Sequence, residues 1–141
     1  MPLWTIHHSP GIFTAEDKGV LAGRITELYE FIGLPRFYVV VVFDETRPED
    51  FYVGGEQSTA GVRVVIEHIA RHSADTAGRR RITAKIKEIL QPFVDKHDGV
   101  HWEFHVDETS EELWMINGLI PPSAGSDVER EWARTNTASV Y

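Results

Sequence analysis

The chain of 141 residues lacks cysteine altogether. Disulfides, thiolate metal sites and a cysteine nucleophile are therefore excluded. It also lacks any apolar run near the roughly twenty residues that cross a bilayer, and no basic segment followed by an apolar one opens the sequence. We therefore expect a cytoplasmic protein without a membrane partner.

Positive charge is scarce as well. Lysine and arginine number 14 against 22 aspartates and glutamates, which gives a net charge of −8. Because this overall charge repels a polyanion, we expect no nucleic-acid partner. A basic cluster at residues 79–87 falls on a predicted helix and is interpreted as a solvent-facing surface. With 42% hydrophobic residues, the chain is long enough for a single domain with its own core.

The first part of the chain, residues 2–43, has the pattern of a strand, a helix and a strand. Residues 3–8 predict a strand with Pro2 at its beginning. Thr14 and Asp17 resemble a helix-capping pair, and apolar residues at helical spacing follow until Gly33. The unbroken apolar run at residues 37–43 predicts a strand that is buried on both faces.

The second part repeats this order about sixty residues later. After a connection at 44–61, which holds a short hairpin strand near 51–53, residues 62–106 have the pattern of strand, helix and strand. Residues 107–141 form a C-terminal arm with a short helix predicted at 127–134. We interpret this arm as a cover or an oligomer contact.

These elements predict an α/β (α+β) fold with two tandem βαβ units in one four-stranded sheet. Right-handed crossovers place both helices on one face of that sheet. The other face then needs a cover, since residues 37–43 are too apolar to face water. We therefore expect oligomerisation through the open sheet faces. A ferredoxin-like domain is the alternative fold, because its order of elements is nearly the same.

Pro2 is the residue that points most directly to chemistry. Initiator methionine is normally removed ahead of a small residue, which leaves proline as a terminal secondary amine. An N-terminal amine has a pKa of about 8, and partial burial favours its neutral form. Such an amine can move protons at physiological pH.

Several segments together resemble one family. Pro2 opens a strand, the βαβ unit is duplicated, Gly54 and Gly55 form a hairpin, and Arg71 follows the third strand. With residues 51–55 and 119–121, these features resemble the tautomerase superfamily, in particular the group similar to cis-3-chloroacrylic acid dehalogenase. The resemblance extends to about Trp132. It implies the β-α-β tautomerase fold, a homotrimer, and the N-terminal proline as general base or acid.

The resemblance also implies roles for single residues. Arg71 falls where the family has an arginine that binds the substrate carboxylate, and a guanidinium suits that task. Tyr29 stands where the family has a histidine on the first helix; a donor role and simple core packing both stay open. A second arginine is missing, and His72 is the candidate donor in its place.

Two substitutions concern water. By ungapped alignment, Phe104 and Met115 stand where the dehalogenases have a tyrosine and a glutamate that handle water. Neither side chain can position or deprotonate water, although Glu103, Asp107 or Glu112 could supply the acid if the alignment shifts. We expect Phe104 and Met115 to line the substrate site with Arg71 and His72.

Neither a metal nor another cofactor is predicted. Adjacent histidines point to opposite faces of a strand, while His101 and His105 lie about 13 Å apart along one. His68 and His72 straddle a strand end, without a carboxylate partner of known geometry.

Three functions remain open from the sequence. The leading hypothesis is a keto-enol tautomerase of a 2-oxo acid, with Pro2 as base and Arg71 as carboxylate anchor. A hydratase, dehalogenase or decarboxylase of a small unsaturated acid is the second. The third is a non-catalytic oligomeric domain whose site has decayed.

Overall fold

A computed structural model describes the chain except for residues 70, 71 and 74. Arg71, the predicted carboxylate-binding residue, therefore lies outside the described residues. The strands are β1 (Pro2–His8), β2 (Val40–Glu45), β3 (Tyr52–Val53), β4 (Glu56–Gln57), β5 (Gly61–Ile69) and β6 (His101–Thr109). The helices are α1 (Ala15–Phe31), α2 (Thr76–Val94) and α3 (Asp127–Thr135).

Four strands form one mixed sheet in the order β2-β1-β5-β6. β1 runs parallel to β2 and antiparallel to β5, while β5 runs parallel to β6. Helix α1 connects the first parallel pair and α2 connects the second. The predicted pair of βαβ units in a four-stranded sheet is confirmed.

Both connecting helices pack on one side of this sheet, which we call the covered face. Leu21 and Ile25 of α1 and Ile86 and Leu90 of α2 are completely buried in the same core as Trp4. Alternate residues of β1 and β5 complete that core, as the period of a strand requires. Burial of this face holds the register, because a shift by one residue would expose all of these side chains.

Local signals in the sequence explain the ends of α1. The Thr14 hydroxyl accepts from the Asp17 N–H at 3.0 Å, and the Asp17 carboxylate accepts from the Thr14 N–H at 3.1 Å. This is the reciprocal capping box that the sequence predicted. Gly33 follows the helix with φ of +89°, a conformation that glycine adopts without strain.

The strand predicted at residues 37–43 begins later and is less buried than expected. Residues 36–38 form a turn of 3₁₀ helix, in which Tyr38 is 1% exposed against Trp114 and Trp132. In β2 itself, Val40 and Val42 are 39% and 45% exposed. The expectation of burial on both faces was wrong for this chain, since β2 is an edge strand with one uncovered side.

The uncovered side of the sheet, which we call the open face, carries the other half of each strand. Its residues are Leu3, Thr5, His7, Val40, Val42, Asp44, Arg63, Val65, Glu67, Glu103, His105 and Asp107. At one end of this face Asp44, His7, Arg63 and Glu103 form a polar row across all four strands. The row is partly exposed and paired internally, since His7 Nδ1 lies 2.7 Å from the Asp44 carboxylate.

The remaining elements lie outside the four-stranded sheet. β3 and β4 form the predicted hairpin, and its turn at Gly54 and Gly55 has φ values of 61° and 86°. Helix α3 confirms the short helix predicted in the arm, and its Trp132 packs against Phe37 and Tyr38. Among the described helices, none combines the length and the apolar character that a bilayer crossing requires.

Candidate active site

Pro2 lies at a place in the ladder that suits a residue without an N–H. The Met1 amine donates to the Ile69 carbonyl at 2.6 Å, and the Ile69 N–H donates to the Met1 carbonyl at 2.8 Å. Hydrogen-bonded and non-hydrogen-bonded pairs alternate along an antiparallel ladder. Pro2, which follows Met1, therefore forms with His68 a pair that exchanges no hydrogen bonds. Proline costs no pairing at such a position, and its ring is buried.

A small, mostly apolar cavity lies against Pro2. Its volume is about 110 Å³, a few times the roughly 30 Å³ that one water occupies in the liquid. The lining residues are Met1, Pro2, Tyr29, Ile32, Leu34, His68, Ile69, Ser73 and Ile82. The cavity therefore joins the start of β1, the end of α1, the end of β5 and one side of α2.

A chain of hydrogen bonds runs along one wall of this cavity. The Trp4 indole N–H donates to the Tyr29 hydroxyl at 3.0 Å, and that hydroxyl lies 2.7 Å from Nε2 of His68. Because Trp4 can only donate, the Tyr29 oxygen is the acceptor in the first bond, and its own hydrogen is available for the second. Donation of this hydrogen to Nε2 of His68 gives the hydroxyl and the ring nitrogen complementary roles, so we assign Nε2 as the acceptor and the ring hydrogen to Nδ1.

Burial keeps both members of this wall uncharged. It lowers the pKa of His68 to about 4, helped by the positive charge of the nearby N-terminus and opposed by Glu108. Burial also raises the pKa of the Tyr29 hydroxyl well above its usual range, although the hydrogen bond from Trp4 acts against it. At neutral pH the cavity thus presents a neutral imidazole and a neutral phenol.

Glu108 extends the row of Pro2 and His68 to the edge strand β6. Its carboxylate accepts from the Ser73 N–H at 3.3 Å and lies 3.1 Å from Nδ1 of His72 and 3.8 Å from Arg79. Burial alone raises the pKa of Glu108, but these three partners outweigh it and hold that pKa below the ordinary value. Glu108 therefore fixes the chain just before α2, where Ser73 joins the cavity wall.

The structure brings together part of the predicted site. Pro2 and Tyr29 line the same cavity. His72 lies beside it with its imidazole on Glu108. Phe104 lines a neighbouring groove of about 450 Å³ that shares His68 and Ile82 with the cavity. Met115 is 63% exposed. In the part of the chain that the structure describes, it lines neither the Pro2 cavity nor the neighbouring groove.

The acidic residues considered for water chemistry lie elsewhere. Glu103 and Asp107 are on the open face, where they contact Arg63 and His105 respectively. Glu112 is exposed in a short 3₁₀ turn. Among the described residues that line the Pro2 cavity, none is a carboxylate.

His68 and Glu108 are the site residues that sequence reasoning missed. The sequence presents His68 only as a candidate metal ligand and gives no signal for a role of Glu108. The signal was available in strand parity, because His68 shares the phase of the buried Val62, Val64 and Ile66. The sequence does not show the antiparallel register of β1 and β5, which places His68 opposite Pro2.

Comparison with known proteins identifies the family of the chain. The family model described as a putative oxalocrotonate tautomerase enzyme matches residues 1–137. The chain belongs to this family. No curated protein matches it.

Solved structures support the assignment to the tautomerase family. RhCC from Rhodococcus jostii RHA1 is 39% identical over 99% of both chains, with a TM-score of 0.92. A probable enzyme from the thermophilic fungus Aspergillus fumigatus is 40% identical over 100% of this chain and 98% of that one, with a TM-score of 0.93. N1, a member of the cis-3-chloroacrylic acid dehalogenase family, is 21% identical over 92% and 89% of the chains, with a TM-score of 0.67, and shares the fold.

Proposed function

We propose that the protein is a keto-enol tautomerase of a 2-oxo acid, in which the Pro2 nitrogen is the general base and acid. The observation that supports this most is the cavity itself. It places Pro2 against neutral and apolar side chains, with no carboxylate among its described lining residues. Tautomerisation needs one base and an anchor for the substrate, whereas adding water needs a group that activates the water.

The proposed reaction moves one proton from oxygen to carbon. The neutral Pro2 nitrogen removes the proton of the enol hydroxyl, which becomes a carbonyl, and the same nitrogen then delivers a proton to carbon 3. The enol O–H bond breaks, a C–H bond forms, and no other reactant is consumed. Burial of Pro2 supports this role, because desolvation favours the neutral amine that must accept the proton.

This role requires removal of Met1. While Met1 is attached, the Pro2 nitrogen is an amide and cannot act as a base. Met1 also lines the cavity and occupies the position opposite Ile69 in the ladder. Its removal therefore converts the nitrogen to an amine and enlarges the space beside it.

We propose Arg71 as the group that binds the substrate carboxylate. Its support is the family resemblance and its place in the sequence between Ile69 and Ser73, both of which line the cavity. In the same proposal Tyr29 orients His68, and His72 lies beside the carboxylate end. Phe104 borders the adjoining groove, which suits the aryl part of a larger substrate. Met115 stays a proposal from the alignment alone.

We also propose that the active assembly is a homotrimer. The support is the family resemblance together with the open face, where Val40 and Val42 are solvent-exposed on an edge strand. Apolar side chains on an uncovered sheet face are stabilised when another subunit covers them.

The test is ketonisation of phenylenolpyruvate by protein whose intact mass shows that Met1 is gone. Pro2→Ala should lower kcat/KM by at least about 10²-fold, the usual contribution of a general base. Retention of Met1 should have a similar effect, because it acylates the same nitrogen. Pro10→Ala, in an exposed turn after β1, is the matched control and should retain activity.

Unchanged rates in the Pro2 variant would overturn the proposal. A 3-halopropiolate then distinguishes an enzyme from a decayed domain. The tautomerase predicts one covalent adduct on the Pro2 amine, whereas a non-catalytic domain predicts an unreactive terminus.

A further inference from the structure

His68 is directly opposite Pro2 on the covered face of the sheet. The two residues form an antiparallel pair without ladder hydrogen bonds, the arrangement in which facing Cβ atoms lie about 4.5–5.5 Å apart. Both side chains line the same cavity. Any small substrate that touches Pro2 there is therefore within reach of the His68 ring.

Only one nitrogen of that ring is available to a ligand. Nε2 is occupied by the Tyr29 hydroxyl, which in turn is held by the Trp4 indole. Nδ1 carries the hydrogen, and among the described residues it has no hydrogen-bond partner. The ring is thus fixed at one nitrogen and offers a donor at the other, and its side chain lines both the Pro2 cavity and the neighbouring groove.

A neutral donor at this place suits a specific step of the proton transfer. When the enol loses its proton, negative charge builds up on the 2-oxygen of the substrate. A preorganised N–H directed at such an oxygen stabilises the charge more in a cavity with little water than in bulk solvent. A neutral imidazole keeps its hydrogen throughout and does not compete with the amine for the proton.

We propose that His68 donates its Nδ1 hydrogen to the 2-oxygen of the substrate, the same oxygen whose proton Pro2 moves. This inference rests on the proposed function, since it assigns a second group to the same site. Tyr29 and Trp4 are then positioning residues, because they act on the substrate only through the orientation of His68.

Two replacements of His68 separate this role from a merely structural one. His68→Gln can keep an acceptor for Tyr29 near the Nε2 position but has no donor at Nδ1. His68→Asn places an amide N–H near Nδ1 but gives up the contact with Tyr29. Donation to substrate predicts that kcat falls by about 10²-fold in His68→Gln, as for loss of one oxyanion donor, with KM changed little.

The asparagine variant should retain more of kcat than the glutamine variant. If His68 serves only to hold Tyr29, the order is reversed, and that result would overturn the inference. Equal, wild-type kcat in both variants would overturn it too. His101→Gln, about 23 Å from this end of the sheet along β6, is the matched control. Thermal melts of all variants show whether a loss of kcat reflects a loss of folded protein.

The same experiment distinguishes failure of this inference from failure of the proposed function. If the wild type ketonises the substrate and depends on Pro2 while His68→Gln is fully active, only the role of His68 is overturned. If the wild type shows no reaction that depends on Pro2, the proposed function fails and the role of His68 fails with it.

Discussion

Two rows of side chains cross this sheet, and they differ in what surrounds them. At one end of the covered face, Pro2, His68 and Glu108 lie side by side under α1 and α2. At the other end of the open face, Asp44, His7, Arg63 and Glu103 lie side by side facing solvent. Each row holds a histidine with a partner at 2.7 Å, so hydrogen bonding alone does not distinguish them.

Burial makes the difference between the two histidines. His68 is enclosed and bonded to a neutral phenol, and its pKa is lowered to about 4. His7 is 37% exposed, and its Nδ1 lies 2.7 Å from the Asp44 carboxylate. The covered face thus encloses a neutral imidazole, whereas the open face leaves a histidine and its carboxylate partner in contact with solvent.

The largest expected difference between the rows is in acid stability. The pKa of His68 is near 6.5 in the unfolded chain and about 4 in the folded one. Between pH 6.5 and 4, His68 is protonated in the unfolded chain but not in the folded one. The contribution of His68 to the free energy of unfolding is therefore fully present above pH 6.5 and is lost as the pH falls toward 4. The loss amounts to about 3 kcal/mol. Urea unfolding at several pH values measures it.

His68→Gln should flatten that part of the stability curve, because the group whose pKa differs between the folded and unfolded states is then absent. An equally steep fall in the His68 variant would contradict the assignment of the acid sensitivity to this residue.

Tyr29→Phe should have the next largest effect. It leaves the Trp4 N–H without its acceptor and Nε2 of His68 without its donor in a buried wall. The expected loss is about 2 kcal/mol of unfolding free energy, within the range for an unsatisfied buried group. Chemical denaturation measures it, and a change below half a kcal/mol would show that the two groups find other partners.

Glu108→Gln tests the link between the edge strand and the cavity. Glu108 raises the pKa of His68 slightly against the effect of burial, so its neutralisation should move that pKa below about 4. NMR titration of the His68 ring protons measures the shift. A shift upward would contradict the electrostatic account of this row.

The smallest effect is expected on the open face. Asp44→Asn removes the carboxylate partner of His7, and both side chains are partly exposed. Exposed ion pairs of this kind contribute less than about 1 kcal/mol. A loss comparable to that of Tyr29→Phe would mean that the two rows are not as different as their burial indicates.

The fold was largely predictable because its signals are local. Each signal depends only on residues that are close in the sequence. Examples are the capping pair at Thr14 and Asp17, the glycine after α1 and the alternation of buried residues along the strands. The duplicated order of elements then fixed the sheet through the handedness of the crossovers. The strand predicted at 37–43 begins only at Val40, because apolar content alone does not distinguish a strand from the buried 3₁₀ turn that contains Tyr38.

The site was predictable only in part because it depends on pairing. Pro2 could be proposed from its position in the sequence, and Tyr29 from the resemblance to the family. The place of His68 follows from the antiparallel register of β1 and β5, and that of Glu108 from the parallel register of β5 and β6. Neither register has a local signal, so both residues emerged only with the structure.

An NMR titration of the Pro2 nitrogen in protein labelled with ¹⁵N-proline, compared with the pH dependence of ketonisation, tests directly whether this nitrogen is the catalytic base. We expect an amine nitrogen with a pKa below the usual value of about 8 for a free terminus, and a reaction rate that follows the same titration. An active protein in which this nitrogen is an amide, or in which the rate does not change as the nitrogen titrates, would contradict the role of Pro2 as the base.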